Sequence, residues 1–345
     1  MRPLVVVTGV TLASCFALVL SVFGAGEGES PDPKKVRASW SPFVKPLAED
    51  AVKIDADQAL IDLGRRLFYD RRLSAERSVS CNDCHSLGDY GTSGKVALEL
   101  QEERKLRRDV PGLYNIAKLI HFGWDGSVRT LKEQVSASLT SKEEMGMADA
   151  GKVTERLKSI TDYKARFEKA FPESKEPVDA ENAAEALTVF ISGLVTRAPF
   201  DKFLLGDDKA LTDQQLRGAQ LFDRMECGAC HTGTSFGGQM LQKVGIIRPW
   251  PNQEDQGYYE FSKKSEHKMV FKVPPLRNVE KTAPYFHDYS ARSLRRAIKM
   301  MAYYERGQDL GYDQILDIEA FLNSLTGEIP EDYIRPPADM VEGGE

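Results

Sequence analysis

The chain has 345 residues, 41% of them hydrophobic and 28% charged, with a net charge of −6. That is enough apolar material for one large or two ordinary domains, and too much charge for a polytopic membrane protein; 16 Phe, 12 Tyr and 3 Trp without low-complexity tracts exclude a mostly disordered chain. The acidic balance argues against nucleic acid as a partner, because phosphate binding needs a basic footprint.

Met1-Arg2 is followed by an uncharged run from Leu4 to Phe23 and the small residues Gly24-Ala25-Gly26. This reads as a secretory signal over residues 1–26, cut near Gly26. The run is about 20 residues, long enough to span a bilayer, so an uncleaved N-terminal anchor is the alternative. Leu12-Ala13-Ser14-Cys15 resembles a lipoprotein box, but the apolar run continues past the cysteine to Phe23. Residues 27–45 open with Gly, Pro and charge and read as a solvated lead-in.

From Asp57 the pattern turns helical, with Leu60, Leu63, Leu67 and Phe68 on one face. That helix contains Gly64-Arg65-Arg66-Leu67-Phe68, and Cys81-Asn82-Asp83-Cys84-His85 follows after a short loop. Thr212 is a predicted N-cap for a second such helix, with Gly218-Ala219-Gln220-Leu221-Phe222 and then Cys227-Gly228-Ala229-Cys230-His231. The same order of motifs thus recurs, 146 residues apart from His85 to His231. Each half closes on a periodic helix, Leu187 to Leu194 in the first and Ile315 to Leu325 in the second. Nothing between them alternates as strand. The predicted fold is mainly α: two helical domains with long connecting loops, over 46–206 and 207–330, with a tail at 331–345.

Two thiols three residues apart sit on one turn of chain, where they can add to the two vinyl groups of one haem, and the adjacent His then lies beneath the iron. Cys81, Cys84 and His85, and again Cys227, Cys230 and His231, therefore predict two covalent c-type haems. A thioredoxin-like dithiol would need a βαβ context that is absent from the pattern, and a zinc site combining the pairs would leave both adjacent His residues unexplained. A haem iron with two strong axial ligands only passes electrons, whereas one with an open side can activate an oxidant. Three His remain, His121, His267 and His287, and the predicted helix Ser293 to Tyr304 offers Met300 and Met301.

The residues resemble the bacterial dihaem cytochrome c peroxidases, MauG-like dihaem enzymes included, from roughly Leu63 to Gly327. The resemblance rests on Leu67-Phe68, Cys81 to His85, Arg108-Asp109-Val110-Pro111, Asn115, Trp124-Asp125-Gly126, Gln134 and Glu144-Met145. In the second half it rests on Cys227 to His231, Gly237-Gly238, Pro275 to Val279 and Thr282 to His287. It implies a pair of cytochrome c-like helical domains, with a peroxidatic first haem and an electron-transfer second haem. It implies that Trp124 relays electrons between them, that Glu144 is the distal acid with Gln134 as its pocket neighbour, and that Met301 is the axial ligand of the second iron. Asp109, Thr282 and Pro284 occupy the positions that hold an interdomain calcium, and His287 is structural near the haem edge. The implied partners are hydrogen peroxide and a small exported cytochrome c or cupredoxin, in the periplasm, with a homodimer common among relatives.

The sequence also departs from the family pattern. Many members have a distal His between the first haem motif and the Arg-Asn-x-Pro segment; here gapless counting puts Gln101 there, so the first haem is expected to need no release of a His ligand. Asp109 replaces Asn, Ser127 follows Trp-Asp-Gly in place of Arg, and Glu305-Arg306-Gly307 replaces Gln-Leu-Gly. Two rival functions follow: a MauG-like oxidase of a protein partner, with Tyr303 or Tyr304 on the second iron, and a plain electron carrier, with His121 closing the first.

Overall fold

The computed structural model describes residues 30–48, 55–92 and 106–341; the stretch read as an export signal, Gln101 and the end of the tail lie outside them. The helices are α1 (Pro33–Trp40), α2 (Gln58–Tyr69), α3 (Cys81–Cys84), α4 (Leu131–Thr140), α5 (Ala150–Ser159), α6 (Tyr163–Ala170), α7 (Ala180–Ser192), α8 (Pro199–Leu204), α9 (Asp213–Arg224), α10 (Tyr259–Ser262), α11 (Leu294–Arg306) and α12 (Tyr312–Asn323), with short turns after them. The fold is mainly α-helical. No helix among the described residues is long and apolar enough to cross a membrane.

Each half is built on one helix crossing, and the G-x-x-L-F glycine makes the crossing close. A Cβ on Gly64 of α2 would lie 2.0 Å from the Ala186 carbonyl oxygen of α7, and one on Gly218 of α9 would lie 1.8 Å from that of Asp317 on α12. The following Leu and Phe fill the groove beside the contact: Phe68 meets Phe190 edge-on at 5.5 Å, and Phe222 meets Phe321 at 5.3 Å. Both helices start on side-chain caps, Asp57 accepting from the Ala59 amide and Thr212 from that of Gln215.

The buried apolar residues form two cores, one drawn mainly from 61–194 and the other from 200–325. The chain ends cross between them. Contrary to the solvated lead-in expected, α1 is a structural helix of the second core: Trp40 is only 2% exposed and packs against Phe200, Phe222, Phe236 and Phe321. Its apolar residues are too few and too widely spaced among Lys, Pro and Ser to register as a periodic face. At the other end, Tyr333 stacks on Phe190 at 5.3 Å and Ile334 is buried in the first core. A second difference is a short antiparallel hairpin, β1 (Leu241–Lys243) with β2 (Val270–Lys272), Gln242 opposite Phe271. Three-residue strands are too short to show a period of two.

Replacing Gly218 with Ala, or Gly64 with Ala, forces a methyl group into backbone and is expected to lower stability by about 1–3 kcal/mol. Gly88, with nothing within 4 Å of its Cβ position, is the control; Gly88→Ala should stay within about 0.5 kcal/mol of the parent in urea unfolding of the holoprotein.

Candidate functional site

The two C-x-x-C-H turns are held alike. The Asp83 carboxylate accepts from the Ser80 amide at 2.7 Å, and Asn82 Oδ1 accepts from the Leu87 amide at 3.1 Å, so the residues between the first thiols tie the turn to its flanks. His85 Nδ1 lies 2.9 Å from the Gly91 carbonyl oxygen, and His231 Nδ1 lies 3.1 Å from that of Phe236. With Nδ1–H donating to those carbonyls, each ring presents Nε2 as its free lone pair, which fixes ring orientation for an axial ligand. Burial lowers the pKa of both imidazoles, that of His231 to about 4, and so keeps them in the neutral, ligating form. Burial pushes the thiols of Cys81 and Cys227 up to about 12. A redox dithiol needs the opposite shift. Among the described residues no three His, Cys, Asp or Glu side chains are grouped to hold one metal ion, so the geometry gives the zinc reading no support.

One apolar-walled cavity of about 860 Å³ is lined by both motifs. The structure brings Trp124, Gln134, Glu144, Asp109, Thr282, Pro284, His287 and Met301 to the same cavity. Glu144 is solvent-exposed as well as cavity-lining, which puts it at the rim; its charge acts on both His85 and Cys81 and works to raise their pKa values. Gln134, on α4, has Nε2 3.4 Å from Ser138 Oγ. Trp124 is pinned between the halves: its Nε1–H donates to the Asp109 carbonyl at 2.7 Å, and its own carbonyl accepts from the Lys272 amide at 2.9 Å. Its ring centroid is 6.3 Å from that of His287.

Of the two adjacent methionines, Met300 is buried in the second core and Met301 faces the cavity. Tyr303 and Tyr304 turn away from it, the first under the Arg248 guanidinium at 4.0 Å and the second against Trp250 at 5.2 Å. His121 is buried outside the cavity lining, with Nδ1 3.2 Å from the Gly126 carbonyl and Arg129 against its ring. His267 bonds Ser262 Oγ at 2.8 Å. The geometry therefore offers no support for a tyrosine on the second iron or for His121 on the first.

A second repeat escaped the sequence reading. Val110-Pro111-x-Leu113-x-Asn115 recurs as Val273-Pro274-x-Leu276-x-Asn278, and Asp125-x-Ser127-x-Arg129-x-Leu131 as Asp288-x-Ser290-x-Arg292-x-Leu294, all at one offset of 163 (Asn115 to Asn278). The structure keeps that register. Asn115 and Asn278 both have positive φ, 63° and 62°, and the isolated bridges Phe122 to Val128 and Tyr285 to Ala291 are equivalent. Thr130 and Ser293 cap α4 and α11. Trp124 and His287 are therefore equivalent residues of the two halves, facing each other.

Residues 58–209 match the family model described as Di-haem cytochrome c peroxidase. Over 308 residues the chain is 34% identical to the cytochrome c551 peroxidase of Pseudomonas aeruginosa, covering 86% of this chain and 88% of that protein. It is 32% identical over 283 residues to the methylamine utilization protein MauG of Methylorubrum extorquens, covering 78% of each. The solved structure of a MauG-like protein associated with microbial copper homeostasis superposes with a TM-score of 0.71 at 25% identity, over 85% of this chain and 96% of that one.

The chain belongs to the dihaem cytochrome c peroxidase family. It is an enzyme, a cytochrome-c peroxidase, and membership implies two covalently bound c-type haems. The dihaem peroxidase reading also fits groups that the polypeptide leaves unanswered. His287 Nε2 is buried without a hydrogen-bond partner, and Lys272, also buried, forms no ion pair among the described residues. Both line the cavity. A haem would supply carboxylates for such groups and apolar area for the walls.

Replacing Cys227 and Cys230 together with Ala should leave one covalent haem per chain, read as a halved pyridine haemochrome signal on protein that retains haem staining in a denaturing gel.

Proposed function

We propose that this chain reduces hydrogen peroxide to water beside its first haem, the one attached through Cys81 and Cys84. One-electron equivalents arrive from a small exported cytochrome c or cupredoxin by way of the second. The observation that carries this reading is the unlike furnishing of one cavity. Glu144 acts on the first motif, while the second module contributes the thioether of Met301. The haems supply the redox chemistry, storing and delivering the two electrons that cleavage of the O–O bond consumes. The polypeptide does the rest. His85, oriented by its bond to Gly91, would hold the first haem iron, and Glu144 moves a proton from one peroxide oxygen to the other, so that water is the leaving group. Two protons taken from solvent balance the two electrons, and two waters result. Gln134 supplies amide hydrogen bonds to the same pocket. Trp124 spans the interface, with its indole fixed at Nε1, and serves as the aromatic relay between modules. Met301 and His231 would hold the second haem iron, and a thioether ligand would raise its potential, as an electron store requires.

Asp109, Thr282 and Pro284 would hold a calcium ion through a carboxylate and backbone or hydroxyl oxygens, the hard donors it prefers. Burial pushes the Asp109 carboxyl up to about 8, and its one opposing influence is a hydrogen bond from the Val110 amide, so a cation there would restore the carboxylate. The N-terminal signal supports a periplasmic location, where such donors are found.

The test is steady-state turnover with peroxide and a reduced small cytochrome c. Glu144→Gln should lower kcat by about 10²–10⁴, the range for a lost general acid–base group, with haem content and ferric spectrum unchanged. Undiminished turnover would remove Glu144 from the mechanism.

A further inference from the structure

The repeat that pairs Asn115 with Asn278 runs on into the helices that follow. α4 begins at Leu131 and α11 at Leu294, at the same offset of 163, each after a hydroxyl N-cap. Cavity-lining residues of the two helices then correspond at three successive points, Leu131 with Leu294, Val135 with Ile298 and Ser138 with Met301, all six lining the cavity. The corresponding bridges and positive-φ residues just upstream leave no room for a slip of register. One helix face is thus presented to the cavity twice, and the position that bears Met301 on α11 bears Ser138 on α4.

We propose that position 138 is the sixth-ligand position of the first module, the counterpart of Met301, and that serine in place of methionine there keeps the first haem's distal face open. The inference rests on the peroxidase reading and on Met301 as the second iron's ligand. A serine side chain ends two bonds before a thioether's far methyl and stops one atom short of the sulfur, so it does not extend to where Met301 would place its ligand atom. An aliphatic hydroxyl is also absent from the side chains that serve as strong axial haem ligands. The change is paired with a second one a turn earlier, where Gln134 stands opposite Ala297 of the repeat. Gln134 Nε2 and Ser138 Oγ, 3.4 Å apart, turn an apolar, thioether-bearing face into a polar one with room for a small oxidant. The asymmetry between a peroxide-binding iron and an electron-storing iron then comes down to two residues on one face of α4.

The experiment uses the full-length holoprotein carrying Ser138→Met. Its ferric spectrum should lose the high-spin component and gain a second thioether–iron charge-transfer band, and its azide affinity should fall by about tenfold or more, because azide then competes with an internal ligand that occupies the site most of the time. Ser138→Ala should keep the high-spin signal and the azide affinity of the parent. The reciprocal Met301→Ser should create a second azide-binding iron, and it stands as the test if Ser138→Met does not accumulate as holoprotein. A Ser138→Met protein with two haems and an unaltered spectrum and azide affinity overturns the proposal, as does a Met301→Ser protein whose second haem stays closed. A parent protein that shows no high-spin, azide-binding haem in any oxidation state fails differently: it overturns the peroxidase reading itself.

Discussion

Two equivalent asparagines meet on one threonine at the centre of this molecule. The Asn115 amide donates to Thr196 Oγ1 at 2.7 Å, and that hydroxyl donates to Asn278 Oδ1 at 3.1 Å. The Thr196 amide returns a bond to Asn115 Oδ1, and the Gly327 amide adds one to Asn278 Oδ1. All three side chains are buried, so losing one partner would strand polar atoms away from water at about 1–3 kcal/mol each. Asparagine suits both loop positions because it tolerates the left-handed backbone that they share. The network sets the two asparagine-bearing loops, both on the segments that line the cavity, in one fixed relation. The buried pair of Arg277 with Asp201, bidentate at 2.7 Å, braces the second loop against α8. Arg108 reaches from the first half to both Asp125 and Asp255.

On this near-symmetric frame the chemistry resides in the differences. Trp124 is answered by His287, Ser138 by Met301, Gln134 by Ala297 and Asp109 by Lys272. The backbone at these positions is repeated, as the matching bridges and φ values show, so the frame costs the chain no separate design for its two roles. The two halves thus differ in side chains at equivalent points, while the carbonyl contacts of His85 and His231 are alike.

How much of this is legible in the sequence follows from the range of each signal. The G-x-x-L-F and C-x-x-C-H motifs are local, and their order alone marks a repeated helical module. Helix α1 is hidden because Val36, Trp40 and Val44 become a core only when Phe200 and Phe321 arrive from far along the chain. The repeat around Asn115 and Asn278 stands in the sequence but at an offset of 163, against 146 for the haem motifs, since the intervening loop is longer in the second half. A search at one fixed period passes over it. Neighbouring residues on a helix point about 100° apart, so Met300 and Met301 are equally eligible until packing puts one in the core. Glu144, within Lys142-Glu143-Glu144, has no local mark at all; it is distinguished only by where the turn after α4 delivers it.

The buried polar residues of the cavity wall complete the argument for what fills it. An imidazole nitrogen without a partner and an ammonium pushed down to about 8 by burial are both unfavourable in a folded protein standing alone. Their lining neighbours are mainly apolar, and the cavity between them is far larger than a water site. A chain that folds around a planar, apolar group with two carboxylates meets all three conditions at once. Haem carboxylates would answer His287 Nε2 and Lys272, and the ring systems would cover the apolar wall. His85 and His231, already turned by Gly91 and Phe236, would each hold one iron. What looks like unfinished packing in the polypeptide is the complement of its cofactor.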